Sequence, residues 1–305
     1  MYTSILVPLD GSKTAEKVLP YVRFLAGKLK IPVEFFAALD IAQLGTHIAV
    51  GQSRFLSTLV EDTMQGSEIY LKRIAGSFHG IDVKWTIDKG RAAEAIIDKG
   101  TVDTRMLIAM ATHGRSGTNR WLLGSVAEKV LRATANPLLL VRAAADGKIE
   151  GEAALNSIVV PLDGSELAES TLPVMAQLAK TLGLAVTLLR VYPLPYNVYG
   201  YGYGYYAIDS EKLVAEARDE AHRYLEEKAA AIRNLGVEKV TCIAKLGQSA
   251  DEIIKLARET SGNLILMCSH GRSGVGRWVL GSVTEAVARH ADNPVLVLRP
   301  NTAER

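Results

Sequence analysis

The sequence predicts an α/β fold in two copies, each a parallel sheet with helices on both faces. Two observations lead to this prediction. The 305-residue chain, long enough for two domains, repeats its own motifs. Within each half, apolar stretches of strand length alternate with stretches whose apolar residues follow helical spacing. Strands that alternate with helices favour a parallel sheet joined by right-handed crossovers.

The repeat is written in two blocks. Ser-Ile-Leu-Val-Pro-Leu-Asp-Gly-Ser at 4–12 returns, with one change, at 157–165, and His-Gly-Arg-Ser-Gly at 113–117 returns at 270–274. Residues 113–142 match 270–299 at 18 of 30 positions, whereas 41–80 and 193–236 share almost no identity. We therefore predict domains at 1–145 and 154–305, joined by a small, polar linker at 143–156.

The elements follow in order along each half. The apolar run Ile5–Leu9 predicts a strand buried on both faces, and Ser12 caps a helix whose apolar stripe runs from Ala15 to Leu29. Further strands of the first half are predicted at 33–39, 83–88, 106–111 and 137–141, and further helices near 53–76, from 92 and from 125. The second half repeats the pattern, with strands near 157–162, 185–191, 239–244, 264–268 and 294–298.

Composition excludes several classes of protein. Lys and Arg exceed Asp and Glu by 35 − 33 = 2, so a charge-driven nucleic-acid binder is not expected. The two cysteines, Cys242 and Cys268, have no C-x-x-C spacing, which fits a reducing compartment. The sequence shows no secretory leader and no apolar run long enough for a membrane span. We expect a cytoplasmic location.

The segment after the fourth strand of each half is a candidate anion site. Ser125 and Glu128 form the pattern Ser-x-x-Glu, which predicts a helix capped by Ser125 and preceded by Gly124. The second half has Gly281 and the same pattern from Ser282. One interpretation is simply a well-capped helix. The other is a phosphate site on the free helix amides, favoured because ligands of α/β sheets bind at this edge.

The segment after the first strand carries an aspartate in each half, Asp10 and Asp163. The carboxylate is suited to an Asx-turn or to helix capping. It is equally suited to accept hydrogen bonds from a ribose hydroxyl or an adenine amino group. The local sequence leaves both interpretations open.

Together these segments resemble the universal stress protein family, over nearly the whole of both halves. The family pattern is Gly-x-x-Gly, nine residues, then Gly-Ser or Gly-Thr, and here its first glycine is Ala111 in one half and Cys268 in the other. The resemblance implies a Rossmann-like fold with five parallel strands in the order 3-2-1-4-5. It also implies bound ATP, with or without Mg²⁺. The family's dimers imply an intramolecular pseudo-dimer through strands 137–141 and 294–298, with a homodimer as an option.

The resemblance also identifies candidate binding residues, which lie at or after the ends of the first, second and fourth strands of each half. In the first half they are Pro8, Asp10, Ala38, Met110, Ala111, Gly114, Gly117, Gly124, Ser125 and Val126. In the second half they are Pro161, Asp163, Val191, Met267, Cys268, Gly271, Gly274, Gly281, Ser282 and Val283. No metal ligands and no catalytic residues are predicted.

The predicted function is a nucleotide-binding stress-response protein whose ATP occupancy regulates partners or assembly. Hydrolysis is expected to be slow, because no base or nucleophile is evident for the γ-phosphate. One alternative is an ATPase or adenylyl-transferring enzyme on the same scaffold, using Arg115 and His113. Another is a structural module that binds no nucleotide.

Three features keep two interpretations each. His113 and His270 suit a hydrogen-bonded structural role better than catalysis. The arginines of the motif loop are solvated charges or phosphate clamps (Arg115, Arg120, Arg272 and Arg277). The Tyr- and Gly-rich stretch 195–206 is a loop without a ligand role, or it closes over a nucleotide or a partner.

Overall fold

The computed structural model describes residues 1–42, 53–113, 123–142, 150–193, 210–269 and 280–299. The chain divides into two compact units, Met1–Ala154 and Leu155–Arg305. The predicted alternation of strands and helices is confirmed in both units.

The first unit holds one parallel sheet of five strands in the order β3-β2-β1-β4-β5. Its strands are β1 Ile5–Pro8, β2 Val33–Leu39, β3 Val83–Lys89, β4 Leu107–Ala111 and β5 Leu138–Val141. Its helices are α1 Leu19–Leu29, α2 Ser53–Ala75, α3 Ala92–Thr101 and α4 Ser125–Ala133. A 3-10 turn, Ala15–Val18, leads into α1.

The second unit repeats this arrangement, with the order β8-β7-β6-β9-β10 and parallel pairs throughout. Its strands are β6 Ser157–Pro161, β7 Ala185–Tyr192, β8 Val240–Leu246, β9 Asn263–Cys268 and β10 Val295–Leu298. Its helices are α5 Glu166–Glu169, α6 Leu172–Leu182, α7 Ser210–Asn234, α8 Ser249–Glu259 and α9 Ser282–His290. Each unit therefore has the strand order 3-2-1-4-5.

Helices cover both faces of the sheet, which explains the unbroken apolar runs of the central strands. Every residue of β4 is buried. On β2, the ring of Phe35 packs edge-on against Phe78, which lies three residues after α2, with 5.0 Å between ring centroids. The next residue back, Glu34, points to the opposite face and pairs with Lys99 of α3. A strand covered on both faces needs apolar side chains at successive positions.

Glu34 is a buried carboxylate on the otherwise apolar strand β2, with a side chain only 2% exposed. Its Oε1 accepts from Lys99 Nζ at 2.8 Å and from Thr86 Oγ1 at 2.7 Å, and Lys84 Nζ lies 3.1 Å from Oε2. Burial raises the pKa of this carboxyl, but the hydrogen bonds from Lys99, Thr86 and Lys84 outweigh burial and hold it below its usual value. In the second unit, Thr187 occupies the equivalent position on β7.

The longest helices, α2 and α7, cover the outer strands β2, β3 and β7, β8 with one apolar side each. Their other sides carry charge, as in the pair between Lys72 and Glu68 at 2.8 Å. In the described ranges, no helix combines the length and apolarity needed to cross a bilayer.

The segment just before the second unit packs on the first. Ala153 donates its amide hydrogen to the carbonyl oxygen of Pro20 at 3.0 Å, and Arg23 Nη1 donates to the carbonyl of Gly151 at 3.1 Å. Part of the stretch predicted as a linker is thus bound to α1.

Candidate functional site

The candidate site lies at the carboxyl edge of each sheet, where the strand order reverses between the first and fourth strands. In the first unit β1 pairs with β4 from Ile5 opposite Leu107, and five residues further on are Asp10 and Thr112. In the second unit β6 pairs with β9 from Ser157 opposite Asn263. Open α/β sheets bind their ligands at this reversal.

The aspartate after the first strand is held in the same way in both units. Asp10 Oδ1 accepts from the amide of Ser12 at 3.0 Å and from its hydroxyl at 2.6 Å, and Ser12 Oγ accepts from the amide of Ala15 at 3.1 Å. Gly11 between them has a φ of 84°, which a glycine adopts without strain.

In the second unit, Asp163 Oδ1 accepts from Ser165 at 3.0 and 2.6 Å, and Ser165 caps α5 through the amide of Ala168. Gly164 has a φ of 81°. The Asx-turn interpretation is thus realised in both units. It also fixes the direction of each carboxylate, which is half-buried at the sheet edge.

The helix after the fourth strand begins at Ser125, as predicted, but its capping residue differs from the prediction. Its N-cap is Gly124, and Ser125 is already the first helical residue, so the predicted capping role of Ser125 is wrong. The same correction applies to Ser282, because Gly281 is the N-cap of α9. The extended backbone of Gly124, with φ −61° and ψ 147°, suits an N-cap, and its carbonyl accepts from the amide of Glu128.

A close approach explains why this N-cap is glycine. Gly124 donates its amide to the carbonyl oxygen of Thr112 at 2.8 Å, directly after β4, and Gly281 donates to Ser269 over the same distance. A Cβ on Gly124 would lie 2.9 Å from that Thr112 oxygen. The position of Gly124 is thus one where backbone approaches backbone too closely for a side chain.

A glycine cap leaves the first turn of the helix without a capping side chain. Neither Gly124 nor Gly281 can accept from the amides of the first turn, whereas Ser165 does so at the start of α5. Ser125 and Ser282 are exposed there, and Val126 and Val283 are half-buried. Helix N-terminal amides of this kind, with the positive end of the helix dipole, attract anions.

His113 stands next to this helix start. Its Nδ1 lies 3.0 Å from Thr112 Oγ1, and its Nε2 is buried. Burial and the charge of Arg142 lower the pKa of the imidazole. The lowered pKa favours the neutral imidazole, which is hydrogen-bonded to the adjacent Thr112.

The remaining candidate residues differ in how far they are buried. Pro8 and Pro161 end β1 and β6, and Ala38 and Val191 lie near the ends of β2 and β7; all four are half-buried. Four others are buried residues of β4 and β9 (Met110, Ala111, Met267 and Cys268). The carbonyl of Cys268 accepts from Thr284 Oγ1 at 2.8 Å, which ties α9 to β9.

Some predicted residues lie outside the described ranges. These are Gly114, Gly117, Gly271, Gly274, the arginines Arg115, Arg120, Arg272 and Arg277, His270, and the stretch 195–206.

Sequence reasoning missed the residues that link the aspartate segment of the second unit to α7 and β7. Glu169 follows Ser165 by four residues and binds the long helix α7 through Tyr224. Arg190 of β7 lies against Gly164 and donates to the carbonyl of Leu162 at 3.3 Å. A signal was present, since Tyr224-Leu225 in α7 matches Tyr70-Leu71 in α2 within a stretch where the halves are otherwise unlike.

Comparison with known proteins covers both units. A sequence model of the universal stress protein family matches residues 1–142 and 155–299. A universal stress protein of Mycolicibacterium smegmatis is 25% identical over 304 residues, 97% of either chain. One of Methanocaldococcus jannaschii is 30% identical over 142 residues, 47% of this chain and 83% of its own.

Among solved structures, a universal stress protein of Archaeoglobus fulgidus aligns with a TM-score of 0.66 at 20% identity, covering 98% of this chain and 99% of that one. At this identity the likeness shows the fold.

Proposed function

This chain belongs to the universal stress protein family along both halves, and from that membership we propose that each unit binds ATP, with or without Mg²⁺. Nucleotide occupancy would regulate a partner or assembly, with hydrolysis slow at most. A cytoplasmic location, pairing of the two units through their last strands and homodimerisation remain predictions of the sequence.

One observation carries the proposal: in both units, the same edge of the sheet brings together an oriented carboxylate and a helix start with a glycine cap. Asp10 and Gly124 follow neighbouring strands, β1 and β4, and Asp163 and Gly281 follow β6 and β9. A carboxylate suits the hydroxyls of a ribose, and uncapped helix amides suit phosphate. Together they fit the ribose and the phosphates of a nucleotide.

The groups present fit each part of ATP. Asp10 and Asp163 would accept hydrogen bonds from the ribose, and the backbone near Ala38 and Val191 would face the adenine. The first-turn amides of α4 and α9 would hold the phosphates, since those amides carry no side-chain cap. ATP would supply the charged triphosphate, and the protein groups named here would bind and orient the nucleotide.

These groups suit binding better than phosphoryl transfer. The amides of a helix start hold charge in place, the Asp10 carboxylate is engaged by Ser12, and the neutral His113 is hydrogen-bonded to Thr112. We expect single-turnover hydrolysis of bound ATP to be far slower than the ~1–100 s⁻¹ of kinases. A rapid-quench measurement that gave a rate in that range would favour the ATPase interpretation instead.

The binding test uses Asp10→Asn and Asp163→Asn in the full chain. The asparagine Oδ1 can still accept from Ser12 or Ser165, but an amide nitrogen replaces the second carboxylate oxygen and cannot accept from a ribose hydroxyl. We expect each variant to lose ATP affinity in its own unit by at least about tenfold, as for a lost charged hydrogen bond. The measurement is calorimetric titration, with mass spectrometry of ligand released from the denatured protein.

The matched control is Asp103→Asn. Asp103 Oδ1 accepts from the amide of Arg105 at 2.9 Å in a similar turn, but this turn precedes β4 and lies at the other edge of the sheet. ATP affinity should stay unchanged in this variant. Full affinity in the double variant of Asp10 and Asp163 would refute the proposed function.

A further inference from the structure

A short segment links each site aspartate to the long helix of its unit. In the second unit it runs from Asp163 through the Ser165 cap to Glu169, the last residue of α5. Glu169 Oε1 accepts from the hydroxyl of Tyr224 at 2.9 Å, and its Oε2 pairs with Lys228 Nζ at 2.9 Å. Both carboxylate oxygens of Glu169 are thus bound by one helix, α7.

Tyr224 is itself held firmly. The guanidinium carbon of Arg190 lies 4.9 Å from the centroid of its ring, and Lys228 Nζ lies 5.3 Å from it. Burial, followed by the hydrogen bond to Glu169, raises the pKa of the hydroxyl well above its usual value, so it stays a donor. Arg190 also packs under Gly164, next to Asp163. Tyr224 of α7 thus contacts Arg190 of β7 and Glu169 of α5.

The first unit has the corresponding link by a different pairing. Glu16 lies four residues after Ser12, and its side chain is 2% exposed. Its Oε1 pairs with Arg73 of α2 at 3.1 Å, and its Oε2 with Lys13 at 2.9 Å. The Arg73 guanidinium lies 5.3 Å from the ring centroid of Tyr70, the counterpart of Tyr224.

This link persists where the copies have otherwise diverged. Both halves keep a serine whose hydroxyl accepts from the amide three residues on, a glutamate four residues after that serine, and a tyrosine on the long helix. The long helices themselves lie in 41–80 and 193–236, which share almost no identity. Glu16 is buried, and packing alone does not require a carboxylate there, because an apolar side chain would fill the space at no desolvation cost. Glu169 is 27% exposed, but both of its carboxylate oxygens are engaged by α7. The glutamate serves the segment that precedes it.

We propose that Glu169 and Glu16 are positioning residues of the nucleotide sites, an inference that rests on the function proposed above. Each glutamate holds the segment that precedes it against the long helix. The serine of that segment in turn holds the aspartate in the orientation proposed for ribose binding. Tyr224 is the partner through which Glu169 acts.

The test isolates the second unit with Asp10→Asn as the background. Tyr224→Phe keeps the ring and removes only the hydroxyl, and we expect it to weaken ATP binding about three- to tenfold. Glu169→Ala should weaken binding further, and Glu169→Gln, which keeps an acceptor for Tyr224, should recover part of that loss. Amide exchange at Ser165 and Ala168 should quicken in Tyr224→Phe without nucleotide, which reports the looser segment directly.

Glu227→Ala is the control, because Glu227 pairs with Lys228 at 3.2 Å but does not touch the segment. Its ATP affinity should equal that of the background. Unchanged affinity and exchange in Tyr224→Phe, when Asp163→Asn weakens binding as expected, would overturn the positioning role and leave the proposed function standing. If Asp163→Asn also bound ATP normally, both would fall.

Discussion

Gly124→Ala is expected to displace the start of α4 and to weaken the ATP binding proposed for the first unit. The new Cβ would lie 2.9 Å from the carbonyl oxygen of Thr112, a backbone atom that cannot rotate away. Either the Gly124–Thr112 hydrogen bond breaks or the helix shifts. Overpacking of this kind destabilises by about 1–3 kcal/mol. Urea unfolding measures the stability, and titration with ATP measures the loss of the first-unit site.

Gly66→Ala is the matched control. Gly66 lies inside α2, and a Cβ there would meet no atom within 4 Å. Alanine at such a helical position should raise stability by about 0.5–1 kcal/mol. ATP binding should not change. A Gly124→Ala protein as stable as wild type and with full ATP binding would show that the backbone approach at this helix start tolerates a side chain.

Glu34→Ala is expected to destabilise the first unit by about 3 kcal/mol at neutral pH, because it leaves Lys99 part-buried without its carboxylate. The sign of the pH dependence follows from the lowered pKa of Glu34. Its stabilising effect is present above the unfolded pKa of a glutamate and is lost as pH falls through the folded value. The difference between wild type and variant should therefore shrink in acid, as measured by urea unfolding across pH.

The second unit supplies the rescue variant. Thr187 and Leu256 stand there in place of Glu34 and Lys99. The double change Glu34→Thr with Lys99→Leu should recover most of the lost stability, since a buried ion pair can be replaced by apolar packing at little cost. Glu68→Ala breaks an exposed pair with Lys72 and should change stability by less than about 1 kcal/mol. A loss in Glu34→Ala that does not depend on pH would contradict the assignment.

The fold was predictable because its signals are local. Apolar runs, turn residues and the repeat placed every described strand to within about two residues, a usual uncertainty for element ends. The aspartate segments were also predictable, since Asp10 and Ser12 interact within one turn. Four candidate glycines lie outside the described residues, and their roles stay predictions.

The missed features depend on contacts between distant segments. The glycine cap depends on how closely the chain at Gly124 approaches Thr112, which no pattern within the helix records. Glu34 is a charged residue within an apolar strand, and its partner Lys99 lies 65 positions later in the sequence, so no local pattern reveals the pair. Glu169 and Tyr224 are 55 residues apart and become partners only once α5 and α7 are packed.

Two hydrogen bonds determine where the halves should be divided for separate production. Ala153 donates its amide to Pro20, and Arg23 donates to the carbonyl of Gly151. A recombinant first repeat that stopped at residue 145, where sequence similarity fades, would strip two hydrogen bonds from the surface of α1. A recombinant first repeat should therefore end after Ala154, so that it includes the segment that packs on α1.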